Sequence, residues 1–174
     1  WPPHFTIMDG QTLEPFKVVG VRGYTSTTNE YVDDPRVAAI VASPYKPEWI
    51  VNIKETGQIW LVNYTDPMSP TIKMINAPLY LHDGGWDSSL RYFMVAANQS
   101  NKIAVVDAET ETLVAEVDTP EVPHPGRGAN WIDPLYGPVW TTGHLSAASL
   151  IAIGTDPAGH PDSAWKVVRN IELP

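Results

Sequence analysis

Two phrases, LHDGGW at residues 81–86 and PHPGRGAN at residues 123–130, frame one complete unit of strand and turn patterning. Each phrase sets a histidine close to glycines, and His82 and His124 are 124 − 82 = 42 residues apart. A period of about 40–45 residues is typical of one four-stranded blade of a β-propeller. Because neighbouring blades bring equivalent positions side by side around one axis, the spacing predicts that both imidazoles meet at one central mouth.

The apolar runs on either side of these phrases repeat the same unit. Matching Gly57–Asn63 with Asn101–Asp107 gives a shift of 101 − 57 = 44 residues. Short apolar runs separated by Gly, Pro, Asn and Asp predict β-strands joined by turns. The predicted strands are 37–42, 49–53, 59–62 and 71–75, then 91–96, 102–106 and 113–117, then 138–142, 149–153 and 164–168. The sequence therefore predicts an all-β chain with little or no helix.

The blade-like units are predicted at about 36–80, 81–122 and 123–174. Residues 1–35 are interpreted as the end of a preceding blade, with a hairpin that turns at Asp9–Thr12, followed by a connecting loop from Arg22 to Pro35. These units predict a single propeller domain over 1–174, an open arc of about three to three and a half blades. Since closure needs at least about four blades, and the chain starts without methionine, we expect an internal fragment of a longer protein.

Composition excludes several function classes. The net charge is −9, and no basic cluster occurs in the sequence, so neither a nucleic-acid surface nor an anionic-membrane patch is expected. No apolar run reaches the roughly 18–20 residues of a membrane-spanning helix. The chain has no cysteine, which excludes disulfides, thiolate metal sites and a covalently attached c-type haem within it. Small molecules or proteins are the favoured partners.

Three side chains in the two phrases are the main site candidates. His124 lies between two prolines, which stiffen the backbone and fix the direction of the ring. His82, taken alone, has the alternative of a turn histidine, but His124 in matching phase favours a site. Arg127 lies between two glycines and can offer a bidentate fork to a carboxylate. A structural salt bridge is its alternative.

Other polar residues are weaker candidates. His144 follows a predicted inner strand, whereas His4 and His160 lie in proline-containing segments interpreted as surface loops. Asp83 and Asp87 are four residues apart beside two glycines and are interpreted as turn caps rather than as an acid–base pair.

The phrases LHDGGWDSS, RYFMVAAN, PHPGRGAN and YGPVW, in this order and at these distances, resemble the haem d1 domain of the cytochrome cd1 nitrite reductases over essentially the whole chain. The resemblance implies a middle portion of an eight-bladed propeller that holds haem d1 at its axis, with a c-type haem in an N-terminal domain outside this chain. It further implies a periplasmic homodimer that reduces nitrite to nitric oxide in denitrification. A small c-type cytochrome or a cupredoxin would supply the electron.

Carried over by residue, the resemblance makes His82 and His124 the distal histidines that face nitrite and supply protons. Arg127 corresponds to an arginine that contacts the carboxylates of haem d1, and Trp140 and His144 fall in a similar stretch near the pocket. The proximal iron ligand lies outside this chain, so no metal ligand is assigned, and the isolated fragment is expected to be inactive.

Two alternatives remain open. One is a relative that handles haem d1 during its biosynthesis, although such relatives are not expected to keep both distal histidines. The other is a non-catalytic propeller that serves as a protein-binding platform, which would leave the paired His-Gly phrases unexplained.

Overall fold

The computed structural model describes residues 2–174 and consists of short antiparallel β-strands with a single 3-10 turn at Asn98–Ser100. The all-β prediction is confirmed. In chain order the strands are β1 (His4–Met8), β2 (Pro15–Gly20), β3 (Gly23–Tyr24), β4 (Tyr31–Val32), β5 (Val37–Ala42), β6 (Glu48–Ile53), β7 (Gln58–Asn63), β8 (Thr71–Asn76), β9 (Leu81–Trp86), β10 (Tyr92–Ala97), β11 (Lys102–Asp107), β12 (Thr112–Asp118), β13 (Ala129–Asp133), β14 (Gly137–Gly143), β15 (Ser149–Gly154) and β16 (Val167–Glu172).

The strands form three successive four-stranded sheets, β5–β8, β9–β12 and β13–β16, in each of which neighbours in sequence are neighbours in space. Two two-stranded sheets, β1–β2 and β3–β4, precede them. Four-stranded antiparallel meanders of this kind are the blades of β-propellers, and the fold is a partial β-propeller. No helix within residues 2–174 is long and apolar enough to cross a membrane.

The chain divides into two compact units, Trp1–Leu81 and His82–Pro174. In the first unit the β1–β2 hairpin packs on the sheet β5–β8 through an apolar cluster. Its buried members are Phe5, Ile7, Val21, Val51, Ile53, Trp60 and Val62. The turn predicted after β1 is present, because Asp9 Oδ1 accepts the backbone N–H groups of Gln11 and Thr12, both at 2.8 Å.

The segment from Arg22 to Pro35, interpreted from sequence as a connecting loop, contains the short hairpin β3–β4. Its strands are held by the rings of Tyr24 and Tyr31, which meet edge to face with centroids 5.3 Å apart. Each strand has two residues, too few for a period-2 alternation to be recognisable in sequence.

In the second unit two sheets share one core. Alternate residues of β10 and β11 point to the same face, where they meet the apolar side chains of β14 and β15. The buried members are Met94, Ala96, Ile103, Val105, Val117, Trp140, Ile151 and Ile153. Neighbouring blades therefore stabilise one another by burying the faces that each would otherwise expose to water.

Three strands of the second unit differ from the sequence prediction. Strand β9 was not predicted, because its Gly84 and Gly85 lower strand propensity. Strand β13 was missed as well, since it begins directly after a Gly-rich loop. The last strand was predicted at 164–168 but lies at Val167–Glu172, and Ala164 forms only an isolated bridge with Gly154.

An ion pair between the half-buried Arg169 and the buried Asp133 links β16 to the end of β13. Arg169 donates from Nε to Asp133 Oδ2 at 2.9 Å and from Nη2 to Oδ1 at 3.2 Å. The carboxylate also accepts the backbone N–H groups of Leu135 and Tyr136. The Arg169 hydrogen bonds, together with those backbone donors, lower the pKa of Asp133 to about 2.

We expect Asp133→Asn to remove an acid-sensitive part of the stability. The pKa of the Asp133 carboxyl is about 2 in the folded chain, below its ordinary value of 3.8. The ionised carboxylate therefore stabilises the fold fully at pH values above 3.8. This contribution is lost as the pH falls towards the folded-state pKa of about 2. Urea unfolding at several pH values should show a wild-type advantage that is constant at neutral pH and shrinks in acid. Asp162→Asn, at an exposed position, is the control, and an advantage that does not change with pH would contradict the prediction.

Candidate functional site

The structure brings the imidazoles of His82 and His124 into contact. His82 is the second residue of β9, and His124 lies in the loop 123–128 that leads into β13. The ring centroids are 4.7 Å apart and the ring planes are inclined at 46°. The two side chains are 31% and 34% exposed. The two rings are thus packed together and remain accessible from one side.

The rings do not meet for the reason that the spacing suggested. His82 lies within a strand, whereas His124 precedes Ala129, the first residue of β13, by 129 − 124 = 5 residues. The side chain of Asn130, in β13, donates to the carbonyl oxygen of Trp86, at the end of β9, at 2.9 Å. The argument from equal phase was therefore wrong: the rings meet because the loop 123–128 lies against β9.

Asp83 lies between the two rings, a position that the sequence did not reveal. Its Oδ1 is 3.2 Å from His82 Nδ1, its Oδ2 is 3.6 Å from His124 Nδ1, and Oδ2 accepts the backbone N–H of Gly126 at 2.6 Å. The residue is only 9% exposed. The interpretation of Asp83 as a turn cap is wrong, because it belongs to β9 and turns its carboxylate to the site.

A carboxylate on the Nδ1 side of both rings has a chemical consequence. A carboxylate favours the proton on the nitrogen that faces it, so Asp83 favours the tautomer of His82 and His124 that is protonated at Nδ1. Asp87, by contrast, is the predicted turn cap, since it accepts the backbone N–H groups of Ser89 and Tyr92, both at 2.9 Å.

Glycines in both phrases let the loop lie this close to the strand. A Cβ at Gly85 would overlap the carbonyl oxygen of Arg127, and a Cβ at Gly128 would overlap the indole of Trp140. Gly128 also has φ +70°, a backbone conformation that disfavours other residues. These two positions therefore fix where His124 stands relative to His82.

Arg127 is anchored through its backbone and exposes its guanidinium. Its carbonyl oxygen accepts Trp140 Nε1–H at 3.2 Å, and its Nη1 donates to the carbonyl oxygen of Gly84 at 3.2 Å. Within residues 2–174 no carboxylate forms a salt bridge with it, so the alternative of a structural salt bridge is wrong for this part of the chain. A guanidinium has five N–H donors, which makes this exposed group suitable for an anionic ligand.

Trp140 and His144 support the loop that carries His124. Trp140 is fully buried in the core shared by the two sheets. His144 forms an isolated bridge with Pro123, and the N–H of His124 donates to the carbonyl oxygen of Gly143 at 2.9 Å. Both residues contact the backbone of the loop, and their role in cofactor binding stays a prediction.

The two discounted histidines have other surroundings. His160 Nδ1 lies 2.9 Å from Asp156 Oδ2 in the loop before β16. His4 is exposed, but it begins strand β1 instead of lying in the loop expected from its prolines.

The fold and the site together define a propeller domain with a His–Asp–His cluster beside an exposed arginine. The family model described as "Cytochrome D1 heme domain" matches residues 1–174, and the chain belongs to this family. The family resemblance found in the sequence is thereby confirmed.

Curated relatives agree with this assignment. The chain is 54% identical over 179 residues to a nitrite reductase of Stutzerimonas stutzeri, a match that covers 100% of the chain and 32% of that protein. It is 24% identical over 130 residues to a dihydro-haem d1 dehydrogenase of Pseudomonas aeruginosa, with 75% of the chain and 25% of that protein covered. The chain thus spans a third or less of the curated relatives it matches.

Solved structures share the fold. A dihydro-haem d1 dehydrogenase in complex with DHE matches with a TM-score of 0.73 at 20% identity, over 98% of this chain and 34% of that one. A hydrazine synthase of Kuenenia stuttgartiensis matches with a TM-score of 0.64 at 16% identity, over 87% of this chain and 40% of that one. At these identities the likeness concerns the fold alone.

Proposed function

We propose that this chain is the distal part of a haem d1 site at which nitrite is reduced to nitric oxide and water. The observation that carries the proposal is the pair of adjacent imidazoles, 4.7 Å apart and joined by Asp83, beside the exposed guanidinium of Arg127. The 54% identity to a nitrite reductase over the whole chain supports the same reaction.

The residues present fit haem d1. The partly exposed imidazoles of His82 and His124 and the exposed guanidinium of Arg127 suit an anionic ligand and the carboxylates of a macrocycle. Arg127 would hold a carboxylate of the group, and His82 and His124 would face its substrate. Haem d1, when bound, supplies the iron that holds nitrite and passes on the electron.

The reaction requires what two imidazoles can provide. Nitrite takes up one electron and two protons, one N–O bond breaks, and nitric oxide and water are released. His82 and His124 each deliver one proton from Nε2 to the oxygen that leaves as water, since imidazole exchanges protons near neutral pH. Asp83 lies on the Nδ1 side of both rings, 3.2 Å from His82 and 3.6 Å from His124, where its charge would favour the protonated imidazoles that the reaction requires.

Further parts of the proposal concern the whole protein. A c-type haem in an N-terminal domain would receive the electron from a small c-type cytochrome or a cupredoxin, and the protein would act as a periplasmic homodimer in denitrification. These features rest on the family resemblance and on the relatives. We propose, too, that residues 1–174 form one haem d1-binding domain and do not turn over nitrite alone.

Dihydro-haem d1 dehydrogenation is the second candidate, because a dihydro-haem d1 dehydrogenase shares the fold at a TM-score of 0.73. The two reactions can be separated with the full-length protein. Loaded with haem d1 and given an electron donor, it should convert nitrite to nitric oxide in stoichiometric amounts. Oxidation of dihydro-haem d1 without nitrite turnover would establish the second candidate instead, and failure to bind haem d1 at all would favour a protein-binding platform.

In the full-length protein, Arg127→Ala should weaken the binding of haem d1. Loss of a hydrogen bond to a charged group costs about 1.5–3 kcal/mol, which corresponds to a roughly 10- to 150-fold higher dissociation constant. Absorbance titration with haem d1 measures the change. Arg22→Ala, in the first unit, is the control, and equal affinities of the two variants would exclude a binding role for Arg127.

A further inference from the structure

We propose that His82, Asp83 and His124 also form a binding site for one divalent transition-metal ion, with Zn²⁺ as the best match, in protein that lacks haem d1. The three residues each offer a ligand atom, and these atoms all lie within 4.8 Å of one another. The proposal uses only side chains of this chain and does not depend on the proposed reaction.

The separations of the ligand atoms suit a tetrahedral ion. Zinc bonds to imidazole nitrogen at about 2.0–2.1 Å in tetrahedral sites, so two ligand atoms of one ion lie roughly 3.3 Å apart. Asp83 Oδ1 is 3.2 Å from His82 Nδ1, and Oδ2 is 3.6 Å from His124 Nδ1. Each ring nitrogen therefore already lies near this spacing from one of the two carboxylate oxygens. A small rotation of the rings, which are 31% and 34% exposed, would bring both nitrogens to the spacing required around one ion.

The donor set selects the type of metal. Imidazole nitrogens favour Zn²⁺, Cu²⁺ and Ni²⁺, whereas Mg²⁺ and Ca²⁺ require mainly oxygen ligands. Two histidines and one carboxylate resemble the three-ligand sites at which zinc keeps one position open.

The surroundings of the ligands are already ordered for binding. The backbone N–H of Gly126 donates to Asp83 Oδ2 at 2.6 Å, which fixes the carboxylate as an outer-shell contact does in metal sites. The N–H of His124 is held by Gly143, and the close contact between Gly85 and Arg127 prevents the loop from moving inward. Little conformational freedom therefore remains to be lost when the ion binds.

Bound metal would compete with any use of these rings as acids. Both ligating nitrogens would be Nδ1, which carries no proton when a metal is bound. The ion would thus replace the contacts of the rings with the Asp83 carboxylate, add positive charge beside both rings and change the direction of Nε2. Zinc should consequently act as an inhibitor of any proton transfer by His82 and His124, and loading with haem d1 should proceed more slowly in its presence.

Calorimetric titration of the full-length protein, prepared without haem d1, with Zn²⁺ tests the proposal. We expect saturable binding at a site that is lost in His82→Gln and in His124→Gln. Each variant should weaken binding by more than the roughly 10- to 100-fold that removal of an outer-shell contact costs. Titration with Co²⁺ should give the visible absorption of a tetrahedral nitrogen–oxygen site in the wild type and not in the two variants.

His4→Gln and His160→Gln are the controls. His160 is the more demanding one, because it forms another histidine–carboxylate pair with Asp156. Thermal unfolding of each variant verifies that the fold is kept. Absence of zinc binding in the wild type, zinc binding that survives both His82→Gln and His124→Gln, or its loss in His160→Gln would each overturn the proposal. Zinc binding is observed without nitrite turnover, so failure of the proposed reaction would leave this outcome unaffected.

Discussion

Replacement of His82 or of His124 by glutamine is expected to lower the rate of nitric oxide formation by about 10²- to 10⁴-fold, the usual contribution of a positioned general acid. Glutamine keeps a polar side chain of similar reach but cannot deliver a proton. The two rings are in contact and share Asp83, so the double variant should lose less than the product of the two single losses, as expected for residues that act as a unit. Stopped-flow or electrode measurement of nitric oxide in the full-length, haem-loaded protein gives these rates.

The control for this pair is His4→Gln, which changes an exposed histidine at the start of β1. Haem d1 content and the unfolding midpoint of each variant must equal those of the wild type, so that only the chemical step differs. Full activity of His82→Gln and His124→Gln under these conditions would refute the proton-delivery proposal. Loss in only one of the two would assign both protons to a single ring.

The sequence predicted the fold well because the fold depends on a periodic signal. Strand β5 lies where its apolar run placed it, and β7 and β11 begin 102 − 58 = 44 residues apart, the shift found in the sequence. Alternating burial on short strands is a local property, and turn residues mark its ends. The first strands β9 and β13 escaped prediction, because β9 contains two glycines and β13 begins directly after a glycine-rich loop.

The site was predicted only in part, and the missing part depends on tertiary contacts. The two histidines were recognised from their glycine-rich setting, although the loop that carries His124 does not follow the repeat. Asp83 looked like a turn residue, because nothing in the sequence shows that its carboxylate faces a loop more than forty residues further along. The glycines were the available signal: a glycine within a strand often marks a close approach of another backbone. Gly85 does so with Arg127.

Among glycine-to-alanine substitutions in the second unit, Gly85→Ala is expected to displace His124 from His82 and Asp83 the most. The new Cβ would overlap the carbonyl oxygen of Arg127, an atom of the backbone that cannot rotate away. The loop must therefore move off β9, and His124 moves with it, away from His82 and Asp83. Overpacking of this kind costs about 1–3 kcal/mol of unfolding free energy. A displacement of about 1 Å at a reacting group can lower the rate about 100-fold.

Gly20→Ala is the matched control for Gly85→Ala, because it adds the same methyl group to a strand glycine whose Cβ position has no atom within 4 Å. Urea unfolding measures the stability loss, and the rate of nitric oxide formation together with zinc affinity measures the displacement of His124. The stability, the rate of nitric oxide formation and the zinc affinity should all fall in Gly85→Ala, and all three should stay at the wild-type value in Gly20→Ala. A variant Gly85→Ala that loses stability but keeps both functions would show that the loop adjusts without moving His124, and the strand–loop contact would then not determine the geometry of the site.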